Sequence, residues 1–138
     1  MVQLSKVLLR IASVLMLLHS VGHISGLITW QKSIPPDVVQ KMQEVHYRFM
    51  YKDGLTMADF YTGASVFGVI LIVFIAVLLW MLSDSKDKLA VRLLWTIAIV
   101  IGLHAAVELI YFFPIALIFC VISAVLVLIA IFQIKKSE

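Results

Sequence analysis

Four histidines and one carboxylate define the chemistry open to this sequence. His19 and His23 are four residues apart, and so are His104 and Glu108. On a helix, side chains four apart share one face, one turn above the other. An HxxxH turn facing an HxxxE turn offers three imidazoles and one carboxylate. That donor set suits a tetrahedral zinc ion, closed when all four bind and open when one is withdrawn. It also suits iron or copper. A bound transition metal would neutralise the site and could activate water. In this reading His19, His23, His104 and Glu108 are the metal ligands. Glu108 could instead serve as a general base, and His46 as a gate, an extra ligand or a catalytic group.

The same residues admit other roles. A carboxylate bonded to a buried imidazole can fix helix packing and nothing more. Such couples also relay protons within membranes. Histidines on facing helices can ligate haem in a four-helix bundle. His46 taken alone reads as an interfacial side chain.

The elements that carry these residues follow from composition. The chain is 63% hydrophobic and 14% charged, against about 45–50% apolar and about 25% charged in soluble domains. Mean hydropathy is +1.09 for a mass of 15.5 kDa. A globule of that size has too much surface to hide so many apolar groups from water. Lipid is the fitting solvent, and the bilayer the expected partner. Four apolar stretches stand at 7–30, 60–82, 89–113 and 114–134. Each holds roughly 20 or more residues, enough to cross about 30 Å of hydrocarbon. Backbone in lipid must satisfy its own polar groups, so helices are expected. The predicted fold is all-α: a single transmembrane domain built as a four-helix bundle. The first stretch reads as a span, not a secretory signal. It is long, contains two histidines and lacks a convincing small-x-small cleavage site.

Basic residues orient the spans. Lys6, Arg10, Lys86, Lys88, Arg92, Lys135 and Lys136 fall on one side. On the other, Lys32, Lys41, Arg48 and Lys52 share one long loop with several acids. The positive-inside bias therefore puts both termini in the cytoplasm. The net charge of +3 reads as anchoring, not nucleic-acid binding. Cys120 is the single cysteine, so no intramolecular disulfide can form. No Gly-rich phosphate loop, CxxC pair or GxSxG elbow is present. The small-xxx-small pairs Gly22/Gly26 and Gly102/Ala106 predict close helix approaches.

The outer loop carries a helix signal of its own. Pro35-Pro36-Asp37 is a start, Gly54 a stop, and Val38, Met42, Val45, His46 and Phe49 recur at helical spacing. A short amphipathic helix over 36–52 is expected to lie on the membrane face, with His46 towards the bundle. Counted from the inner ends of their spans, His19 and His104 lie about 18 and 22 Å up, and His23 and Glu108 about 24 and 28 Å. The histidines and the buried acid thus converge in the outer half. Asp59, Tyr61 and Thr62 open the second span at the same end, Asp59 as a helix cap.

The stretches Leu18-His19-Ser20-Val21-Gly22-His23 and Met57-Ala58-Asp59-Phe60-Tyr61-Thr62-Gly63 resemble segments of an uncharacterised family of small bacterial four-helix integral membrane proteins. The resemblance implies inner-membrane placement and four spans, and it draws attention to His19, Gly22, His23, Asp59, Tyr61 and Gly63. It implies no activity. A lipid-soluble substrate entering from the interface, a homo-oligomer, or a non-enzymatic role beside a larger partner would each be compatible with a bundle this small.

Overall fold

The computed structural model describes residues 2–49, 52–111 and 114–136. Its elements are α1 (Val2–Ser33), α2 (Pro36–Glu44), β1 (His46–Phe49), β2 (Lys52–Thr56), α3 (Met57–Leu82), α4 (Lys88–Tyr111) and α5 (Pro114–Lys135). Among the described residues, α1, α3, α4 and α5 are long and apolar enough to cross a membrane. They fall on the four expected stretches. The expected third stretch ran on to residues 112–113, which lie outside the described residues.

Contacts divide the chain into two compact units, Met1–Ser20 with Ile72–Glu138, and Val21–Leu71. In the first unit each helix buries one stripe. On α1 these are Ser5, Leu9, Ala12, Met16 and His19; on α3, Ile72, Ile75, Ala76 and Leu79. On α4 they are Leu94, Ile97, Ile101, Ala105 and Glu108; on α5, Ala116, Cys120, Ser123, Val127 and Ile131. Spacings of three and four make each set one helix face. Three of these stripes carry a chemically active member: His19, Glu108 and Cys120.

The helices of this unit pair antiparallel. Ser13 Oγ of α1 donates to the Ala76 carbonyl of α3 at 2.7 Å, and the Arg10 guanidinium lies 4.7 Å over the Trp80 ring. Trp95, early in α4, meets Phe132, late in α5, edge-on at 6.1 Å. The outward faces expose Phe74, Leu103, Leu109 and Ile115, a surface suited to lipid and a liability in water. Among the described residues the close approaches expected at Gly22, Gly26 and Gly102 are not made. A Cβ added at Gly22, Gly26 or Gly102 would meet nothing within 4 Å. Buried alanines such as Ala105 and Ala116 lie on the α4 and α5 stripes instead.

The second unit corrects the reading of the outer loop. The helix expected over 36–52 stops at Glu44, and the chain continues as an antiparallel hairpin pairing His46 with Thr56 and Phe49 with Lys52. Residues 50–51 lie outside the described residues. Val45 leaves the helical region at φ −77°, ψ 103°. From there Val45-His46-Tyr47-Arg48-Phe49 alternates apolar and polar with period two, the strand pattern, although the same residues also score as a helical stripe. Gly54 takes φ +85° beside a register irregularity, a backbone state favoured by glycine. Asp59 does not cap α3 as the first residue. Thr56 does, and Asp59 reciprocates: its Oδ2 accepts from Thr56 N at 2.9 Å, while Thr56 Oγ1 accepts from Asp59 N at 3.1 Å. Trp30 at the end of α1 packs on Tyr61 of α3, ring centroids 5.0 Å apart.

Candidate metal centre

The buried stripes deliver His19 from α1 and Glu108 from α4 to one place. Their side chains are 2% and 1% exposed. His104, one turn before Glu108 on α4, is 17% exposed. Glu108 Oε1 stands 3.4 Å from His19 Nε2 and 3.2 Å from His104 Nε2. One carboxylate oxygen thus faces the same nitrogen of two imidazoles. The rings meet edge to face, centroids 5.5 Å apart at 66°. One donor atom from each of these three residues lies within 4.8 Å of the others.

The surroundings hold His19 in orientation. Phe119 of α5 stacks on its ring at 6.1 Å and 11°. Cys120 Sγ lies 3.5 Å from His19 Nδ1, in a fully buried contact. The two ring nitrogens therefore have different tasks: Nε2 faces Glu108, and Nδ1 faces the thiol. With its proton on Nε2, the imidazole leaves Nδ1 as acceptor for the Cys120 S–H. With Nε2 engaged by a cation, Nδ1–H donates to the sulfur. Cys120 can serve both states, because a thiol is both a weak donor and a weak acceptor.

Of the residues singled out in the sequence, His19, His104 and Glu108 come together in the first unit. His23 follows His19 by one turn in the unbroken helix α1 and is half-buried. His46 does not sit on a helix facing the bundle. It is exposed on β1, with Thr56 as its strand partner. Asp59 is engaged in the α3 cap. Cys120 and Phe119 were not indicated as site residues: they lie in an apolar run, with no local spacing to mark them. The ring arrangement also bears on haem. One carboxylate oxygen lies 3.4 and 3.2 Å from the two Nε2 atoms, and Phe119 stacks on His19, so the rings already have close neighbours where a haem would have to enter.

Two of the distances can be set against two uses of this cluster. Charge-assisted N–H···O bonds are usually about 2.7–2.9 Å. The values of 3.2 and 3.4 Å are long for that. Two ligands each about 2.0–2.1 Å from a tetrahedral zinc stand about 3.3–3.4 Å apart. These two carboxylate–imidazole spacings lie close to the edge of such a tetrahedron. The chain matches no protein-family model, no curated protein and no solved structure.

Proposed function

We propose that this protein is a four-span integral membrane protein that binds a transition metal ion, zinc by preference, in the outer half of the bilayer. The observation that carries this reading is the 3.2–3.4 Å spacing of His19 Nε2 and His104 Nε2 about Glu108 Oε1 on buried helix faces. Imidazole and carboxylate donors at that spacing suit zinc. A fourth donor beside these three would complete the tetrahedron and close the site. A site of four protein ligands is structural in type, and withdrawal of one would open it to water. An ionisable cluster kept in hydrocarbon is costly unless its charge is compensated, and a divalent cation compensates the carboxylate.

The proposed orientation sets the Lys6, Lys86 and Lys135 ends in the cytoplasm, in keeping with the positive-inside bias and with placement in a bacterial inner membrane. Elemental analysis of detergent-purified protein tests the reading. About one equivalent of zinc is expected, with most of it lost in His19→Ala and Glu108→Gln. Less than about a tenth of an equivalent after zinc loading and desalting, or equal content in wild type and both variants, overturns it and leaves the cluster as a packing device.

A further inference from the structure

Two basic clusters stand at the same end of the first unit, and they differ in how their charge is met. Lys6 and Arg10 of α1 both pair with Asp84, Arg10 at 3.2 Å, and Arg10 also bonds Ser83. That cluster is partly compensated internally, two cations sharing one carboxylate. The second is not. Lys88, Arg92 and Lys135 line a cleft of about 250 Å³ between the start of α4 and the end of α5, with Val91 and Trp95 as its apolar wall. Among the described residues no carboxylate forms an ion pair with any of the three. Asp87, the acid next to Lys88, accepts from Ala90 N at 2.8 Å and so caps α4. The Lys135 ammonium sits 5.7 Å from the Trp95 ring centroid, and Phe132 braces that ring.

We propose that this cleft binds the phosphate of an anionic phospholipid headgroup. Three cations with no carboxylate partner among the described residues, at the end of two apolar helices, supply the charge. Trp95 supplies an amphipathic ring of the kind that settles at headgroup depth, beside the apolar wall of Val91. Basic pockets between spans are suited to such headgroups. The cleft has room for several groups the size of a water molecule, each of about 30 Å³, which a phosphate and its first glycerol carbons would fill.

Trp95 reports on its own site. In a Trp30→Phe, Trp80→Phe protein, Trp95 is the remaining tryptophan. Reconstituted into phosphatidylcholine vesicles, it should be quenched more by brominated phosphatidylglycerol than by brominated phosphatidylcholine at equal mole fraction, with a relative association constant of about fivefold or more. Arg92→Gln with Lys135→Gln should abolish the difference while leaving the helical circular dichroism unchanged. Lys6→Gln, at the partly compensated cluster, should leave it intact. Equal quenching by the two lipids overturns the proposal. So does equal loss in Lys6→Gln, which would mean general surface charge. Displacement by millimolar inorganic phosphate, but not by sodium chloride of equal ionic strength, would reassign the cleft to free phosphate.

Discussion

Glu108 is the residue on which the site turns, because its Oε1 is shared by two imidazoles from different helices. The HxxxE and HxxxH spacings made His19, His104 and Glu108 legible in the sequence, since helical periodicity alone puts i and i+4 on one face. Cys120 was not legible. It is 101 residues from His19, and an apolar run gives a buried thiol no signature. Its contact with Nδ1 makes it a positioning residue that turns Nε2 towards Glu108. Partners of this kind are worth about 10–100-fold in metal affinity. Cys120→Ala should therefore weaken zinc binding by about that factor while one equivalent still binds at saturation, as read by competition with a chromophoric chelator. Unchanged affinity would show that the thiol only fills space.

At the scale of elements, the four long helices were readable because lipid leaves few options to apolar runs of this length. The hairpin was not. Val45 to Phe49 satisfies the helical and the strand period at once, and short apolar runs of this sort are ambiguous by pattern alone. The tertiary decision is visible at Gly54, whose φ of +85° is uncomfortable for any side chain. No neighbour would clash with an added Cβ there, so the cost of Gly54→Ala is conformational, about 1 kcal/mol. A thermal or denaturant melt of the variant in detergent checks it; no change would mean the turn relaxes freely. The α1–α3 contact makes a separate prediction. The hydrogen bond from Lys6, with the charges of Lys6 and Arg10, holds the Asp84 carboxyl below the usual carboxylate range. A depressed folded-state pKa contributes stability above the ordinary carboxylate value, and that contribution is lost as pH falls through the depressed one. Asp84→Asn should flatten this acid limb of the melting temperature, whereas an identical slope in both proteins would remove Asp84 from the account.

At the scale of the whole molecule, the proposal is of sidedness: basic anchors and a lipid-phosphate cleft at one end, the histidine cluster towards the other. The sequence supplied this through its charge distribution, and what it could not supply was which charges are spent internally, as at Asp84, and which are left for a ligand. In a Cys120→Ala background, Lys86→Cys should react with a membrane-impermeant maleimide only after permeabilisation. His46→Cys, exposed on β1, should react in intact spheroplasts. The reverse pattern would invert the proposed topology.

X-ray absorption at the zinc edge of the zinc-loaded protein reads the atoms around the ion directly. A shell of four nitrogen and oxygen neighbours at about 2.0–2.1 Å with imidazole outer scattering is expected, and no sulfur at about 2.3 Å, because Cys120 bonds the far side of His19. A sulfur neighbour at that distance, or a spectrum of six water-like oxygens with no imidazole scattering, would contradict it.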